Sequence, residues 1–119
     1  MTWTIWHNPR CGKSRQTLAL LREHGIEPEV VLYLKTPPTT EQIEDALERL
    51  SLEPRQLMRR KEGPFKELDL KNERHSRADL IQAMVSHPIL IERPIVFGNA
   101  QAALGRPPEN VLGIMDTRA

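Results

Sequence analysis

An α/β fold with a small mixed sheet is predicted by three observations. A strand, a helix and a second strand follow one another within the first 33 residues. Two later helices carry capping boxes and apolar stripes of helical period. A short strand pair then precedes a closing helix. Strand, helix, strand in so few residues is a βαβ unit, which favours a parallel pair joined by a right-handed crossover. The full set of elements suits a sheet with helices on both faces.

Thr2 to His7 (TWTIWH) is β-branched and aromatic and reads as the first strand, ended by Asn8-Pro9. Gly12 to His24 contains Leu18, Leu20 and Leu21, has no interior breaker and meets Gly25, so it reads as a helix with a glycine stop. Glu29 to Tyr33 (EVVLY) is a second strand, apolar enough to be expected buried. Pro37-Pro38 makes a rigid turn. Thr39 with Gln42 then forms a capping box, and Ile43, Ala46, Leu47 and Leu50 fall on one helical face. Pro54 suits the start of a short helix carrying Leu57 and Met58. Arg59 to Leu70 is charged and interrupted by Gly63-Pro64, which predicts a loop with room for one helical turn. Ser76 with Asp79 opens another helix through Leu80, Ile81, Met84 and Val85, stopping before Pro88. Ile95 to Phe97 is a short strand and Asn99 to Leu104 its return. Pro107-Pro108 suits the first turn of a last helix with Val111, Leu112 and Ile114 facing in. The expectation is one domain over residues 1–119 with a helical insertion at about 39–86.

Composition narrows the functional classes. At 119 residues, about two thirds of the unfolded chain's surface can be buried, so no metal or disulfide staple is required. A net charge of +1 gives no global argument for nucleic acid or an anionic membrane as partner. The single cysteine excludes an internal disulfide and a cysteine-based zinc site, and it fits a reducing compartment. Met1 to Pro9 lacks a basic region followed by an apolar run, and no window approaches ~18 uncharged apolar residues. The expected location is the cytoplasm.

Cys11 is the most informative residue. It stands in His7-Asn8-Pro9-Arg10-Cys11-Gly12-Lys13-Ser14-Arg15, between a strand end and a helix start. Ligands favour the carboxyl ends of strands in open α/β sheets, and unpaired amides at a helix start attract anions. Arg10, Lys13 and Arg15 add positive charge, so these surroundings favour a reactive thiolate over a buried structural thiol. Ser14 takes the place that a resolving thiol holds in a dithiol C-x-x-C motif. A serine either donates a hydrogen bond to a thiolate or serves the backbone of the first turn, but it forms no disulfide. If Cys11 does redox work, the second thiol comes from outside the chain, with glutathione or a small dithiol protein as the natural source.

Four stretches carry a family resemblance: H-N-P-x-C-G-x-S-R from His7, T-P-P-T at 36–39, H-P-I-L-I-x-R-P-I-V at 87–96 and G-R-P at 105–107. In order and spacing, over nearly the whole chain, they resemble the arsenate reductases that work with glutathione and glutaredoxin. That resemblance implies a thioredoxin-like fold with an inserted helical block. It implies that arsenate or a similar oxyanion is attacked by the nucleophile Cys11, with His7 beside it. It implies that Arg59, Arg93 and Arg106 hold the oxyanion, and that Pro94 is the cis-proline that faces the cysteine in such folds. It implies glutathione as co-substrate, glutaredoxin as partner and a role in arsenical resistance. It implies no tightly bound cofactor, no metal, no nucleic acid and no membrane.

The arginines make chemical sense on their own terms. Arsenate near neutral pH is a tetrahedral anion, and guanidinium groups donate paired hydrogen bonds to such oxygens without losing their proton. Arg93 and Arg106 each precede a proline, which stiffens the backbone beside them. Arg60 and Lys61 adjoin Arg59, so the neighbouring position competes for that role. His7 either adjusts the cysteine, binds the oxyanion, or merely ends a strand. Glu62, Glu67 and Asp69 read as solvated loop charges. Arg10, directly before the cysteine, departs from the best-characterised reductases. Two other readings share the scaffold: a thiol oxidoreductase for another substrate, and an Spx-type regulator that binds RNA polymerase. The latter generally switches through C-x-x-C, which Ser14 removes here.

Overall fold

Ile5 is flanked by Thr4 and Trp6, and this alternation puts the isoleucine on one face of a strand and its neighbours on the other. The computed structural model describes residues 2–115. In it the first strand, β1, runs over Thr4–Trp6 and leads to helix α1 at Gly12–Glu23 and strand β2 at Glu29–Val31. The strands β3, Ile95–Gly98, and β4, Gln101–Leu104, complete a four-stranded sheet of order β2-β1-β3-β4. β1 and β2 are parallel, with Ile5 opposite Val30, as a βαβ unit requires. β1 and β3 are antiparallel, with Ile5 opposite Val96, and β3 and β4 are antiparallel.

Both early strands are shorter than their sequence suggests, and β2 is not buried. It forms one edge of the sheet, Glu29 is exposed and Val30 is 38% exposed. Edge position leaves a strand open on one side whatever its own apolar content. Tyr33, just beyond β2, is buried at 1% exposure.

The core of this part of the chain joins Ile5 and Val96 of the sheet to Leu21 of α1 and to Val111 and Ile114 of the C-terminal segment. That segment is a 3-10 turn, Pro108–Val111, running into a short helix at Leu112–Met115. The buried face of α1 is unusual in chemistry. Its buried residues are Ser14, Thr17 and Leu21, so two hydroxyls occupy the face that apolar residues would normally fill. Buried hydroxyls are tolerable only when hydrogen-bonded, and where their bonds lead is the key to the site.

β3 and β4 are joined by Asn99 and Ala100, both with positive φ, at 52° and 61°. Left-handed backbone at both turn positions matches the twist of a two-residue hairpin, but a Cβ makes it costly for alanine. Ala100→Gly is therefore expected to stabilise the protein by about 0.5–1 kcal/mol, read as a higher urea midpoint. An unchanged or lower midpoint would contradict the assignment of strain to this turn.

The chain separates into two compact units. One comprises the chain up to Thr36 together with the chain from Arg93 onward, and the other is Pro37–Glu92. The second is helical: α2 at Thr40–Leu50, α3 at Gly63–Glu67 and α4 at Arg77–Ser86. Both expected capping boxes form, Thr39 with Gln42 and Ser76 with Asp79, each bonded in both directions. Ile43, Ala46 and Leu47 of α2 are buried, as are Leu80, Ile81 and Met84 of α4. Pro54–Leu57 forms a 3-10 turn and buries Leu57, and α3 supplies the single helical turn that the charged stretch had room for. Among the described residues no helix is long and apolar enough to cross a membrane.

Candidate active site around Cys11

Asn8 and Pro9 end β1, and the following backbone is folded by short local bonds. The Asn8 carboxamide oxygen accepts from the Arg10 amide at 3.0 Å, and the Asn8 carbonyl accepts from the Cys11 amide at 3.0 Å. Arg15 reaches back from the first turn of α1 and donates to the Pro9 carbonyl at 2.9 Å. The loop is thus closed from both ends, and Cys11 becomes the N-cap of α1 with extended backbone, φ −95° and ψ 123°. No side chain caps this helix start. Its first-turn amides and the positive end of the helix dipole are therefore left for an anion. Cys11 is a free thiol of intermediate exposure, neither sealed in the core nor projecting into solvent.

Ser14 is fully buried. Its hydroxyl accepts from the Asn8 amide at 3.0 Å and lies 2.6 Å from His7 Nδ1. Of the two roles open to Ser14 from sequence, the geometry shows it serving the backbone of the cysteine loop, together with His7. His7 is buried at 6% exposure, and its amide extends the β1–β2 ladder by donating to the Val31 carbonyl at 2.9 Å.

Burial holds the His7 imidazole below its ordinary value, and the positive charges of Arg22 and Arg15 push it the same way. The folded protein resists a protonation that the unfolded chain accepts near pH ~6.5. The stability this contributes is fully present above about pH 6.5 and is lost as pH falls through the lowered folded value. Urea midpoints for the wild type and His7→Gln should therefore converge between pH 7.5 and pH 5.5. A constant gap across that range would refute the linkage.

Arg93 and Arg106 lie in the same unit as Cys11. Arg93 and then Pro94 lead into β3, and the Arg93 Nε and Nη1 atoms are out of reach of solvent. Arg106 follows Gly105 after β4 and is exposed. The bonds Arg93–Pro94 and Arg106–Pro107 are both cis; the second was not expected from sequence.

Thr17 connects these segments to α1. Its hydroxyl, fully buried, donates to the Lys13 carbonyl at 2.8 Å and lies 3.4 Å from the Gly105 carbonyl. The Gly105 amide in turn donates to the Pro94 carbonyl at 2.9 Å. Sequence reading missed both Thr17 and Gly105; the only hint was Gly105 within the G-R-P motif.

Arg59 belongs to the Pro37–Glu92 unit. Its amide donates to the Leu90 carbonyl at 2.7 Å, and the Glu92 amide donates to Leu57, around an antiparallel bridge between Met58 and Ile91. Its guanidinium pairs with Glu62, and Nε lies 3.6 Å from Glu92. Glu62 is thus no solvated loop charge. It sits three residues beyond Arg59, across a turn closed by the Glu62 amide donating to the Arg59 carbonyl at 3.2 Å. Among the described residues no group of His, Cys, Asp and Glu is arranged to hold a metal ion.

Comparison with known proteins gives a consistent answer. The ArsC family model matches residues 6–114. The chain is 55% identical over 112 residues to the uncharacterized protein YfgD of Escherichia coli K12, spanning 93% of this chain and 94% of that protein. It is 49% identical over 115 residues to the arsenate reductase of Rhizobium meliloti, spanning 97% of this chain and 82% of that one. The solved arsenate reductase from Vibrio cholerae matches with a TM-score of 0.93 at 51% identity, covering 96% of this chain and 98% of that one.

Proposed function

Because this chain belongs to the ArsC family, with that family's thioredoxin-like α/β fold, we propose that it is an arsenate reductase working through one nucleophilic cysteine with glutathione and glutaredoxin as electron donors. The observation that carries the reading is the half-buried free thiol of Cys11 at the uncapped start of α1. Relatives bearing the name arsenate reductase, near half-identical over almost the whole chain, supply the substrate.

The Cys11 thiolate attacks arsenic, a sulfur–arsenic bond forms and one arsenate oxygen leaves as water after protonation. Arg59, Arg93 and Arg106 neutralise the oxyanion and hold it in line. Glutathione thiolate then attacks the Cys11 sulfur. The sulfur–arsenic bond breaks with its electron pair passing to arsenic, which leaves as arsenite. Cys11 is left in a mixed disulfide with glutathione, and a glutaredoxin thiol reduces it. Arsenic gains two electrons and the two sulfurs lose them, so the step balances without a second cysteine in this chain. His7, through Ser14, steadies the loop that carries Cys11. In this reading the protein is cytoplasmic, one domain whose helical insertion at about 39–86 supplies Arg59, and needs no bound cofactor.

The test is direct. Purified protein with arsenate, glutathione, glutaredoxin, glutathione reductase and NADPH should consume NADPH in proportion to arsenate. No arsenate-dependent consumption would reject the reading. The high identity to YfgD, whose activity is unassigned, keeps one competitor in view: the same thiol chemistry on a different substrate. That alternative would show as alkylation of a reactive Cys11 without arsenate turnover.

A further inference from the structure

Gly105 has no positive φ to explain it, so the reason for glycine there must be space. A Cβ built on Gly105 would lie 2.4 Å from Thr17 Oγ1, 2.7 Å from Pro94 Cγ and 3.0 Å from Thr17 Cγ2. No real Cβ tolerates the first two distances, and neither neighbour is the far end of a flexible chain. Thr17 is fully buried and its hydroxyl is anchored to the Lys13 carbonyl of its own helix, and Pro94 is buried with a ring locked to the backbone. Three backbone segments therefore meet at one point without a charged group: the second turn of α1, the start of β3 and the turn after β4. Each carries a residue of the site beside it. Cys11 stands at the N-cap position of α1, Arg93 precedes Pro94, and Arg106 follows Gly105.

We propose that Thr17, Gly105 and Pro94 form a positioning contact that sets Arg93 and Arg106 against the Cys11 end of α1, and so determines how well the site holds an oxyanion. The proposal deepens the arsenate reductase reading and rests on it. Thr17 and Gly105 are positioning residues and touch no substrate. Contacts of this kind matter because a displacement of about 1 Å remote from the chemistry can cost as much as a hundredfold in rate. The thiol itself lies on α1, on the near side of the contact, so its intrinsic reactivity is not what the contact governs.

The experiment uses the full chain and separates these effects. In Gly105→Ala, KM for arsenate is expected to rise by about tenfold or more. The rate of Cys11 alkylation by iodoacetamide, measured without any oxyanion, should stay within about twofold of wild type. Adding Thr17→Ala to Gly105→Ala removes two of the three clashing atoms and should recover part of the lost KM, an interaction that a merely destabilising change would not produce. Thr17→Val is expected to raise KM and Thr17→Ser to restore it, and these two variants decide the matter if Gly105→Ala does not fold. Unchanged KM in Gly105→Ala or in Thr17→Val, or strictly additive losses in the double variant, would overturn the proposal. Protection of Cys11 from alkylation by added arsenate gives a second readout that needs binding alone. A wild type without turnover would sink the reductase reading and leave this test readable. A wild type whose Cys11 arsenate does not protect would overturn the positioning proposal itself.

Discussion

Cys11→Ser is expected to lower arsenate-dependent NADPH oxidation by about four orders of magnitude or more, the scale seen when a covalent nucleophile is removed. Three physical reasons make the loss so large. A serine hydroxyl is a far weaker nucleophile than a cysteine thiol near neutral pH. Even if the hydroxyl attacked arsenic, the resulting oxygen–arsenic bond gives glutathione no sulfur to attack, so arsenic could not collect its electron pair. Nor does the chain hold a substitute: Cys11 is its one cysteine, and Ser14 is fully buried with its hydroxyl bonded to Asn8 and His7. Far-UV circular dichroism should be unchanged, since swapping sulfur for oxygen at a half-exposed N-cap disturbs no core packing and serine is itself a good cap. Mass spectrometry after iodoacetamide should show one adduct per wild-type chain and none in the variant. Activity above a tenth of wild type in Cys11→Ser would place the chemistry elsewhere.

Local chemistry made the helical elements readable. Thr39 with Gln42 and Ser76 with Asp79 announce helix starts because the bonds that cap a helix span three residues and need nothing from the rest of the chain. The apolar period behind each cap names the buried face for the same reason. Edge strand β2 shows where such reasoning stops. Glu29-Val30-Val31 has an apolar character that suits an interior strand, yet sheet order, which no single strand encodes, places it at the edge with Val30 open to solvent.

The candidate site divides along the same line. Cys11 and its basic neighbours were visible as a motif. Of the three arginines, only Arg93 and Arg106 stand inside a motif, Arg59 being reached through the family resemblance alone, and what all of them depend on was not visible. Glu62 read as a solvated charge because its partner, Arg59, is fixed by a turn that the sequence left irregular. Thr17 looked like an ordinary helix residue, and Gly105 like a turn glycine. Their roles arise from a contact spanning 88 positions in the chain, which no local pattern encodes.

Arg93→Ala carries the second large effect: kcat/KM for arsenate is expected to fall by about 10²–10³-fold, the scale of losing one preorganised donor to a developing oxyanion. Among the three arginines this one should matter most. Arg106 is exposed, where solvent screens its charge. Arg59 pairs with Glu62 and approaches Glu92, so its charge is partly answered within its own unit. Arg93 keeps Nε and Nη1 away from solvent, beside a buried proline and a strand whose first two residues, Ile95 and Val96, are fully buried. A charge in such surroundings acts more strongly on an anion than one in water. Arg93→Lys separates charge from geometry. The ammonium keeps the positive charge but lacks the planar fork that binds two oxygens at once, so it should recover only part of the loss, with KM restored more than kcat. If the lysine variant matched wild type in both constants, charge alone would suffice and paired recognition at this position would be wrong. If alanine left kcat/KM within about threefold of wild type, Arg93 would have no part in holding the oxyanion.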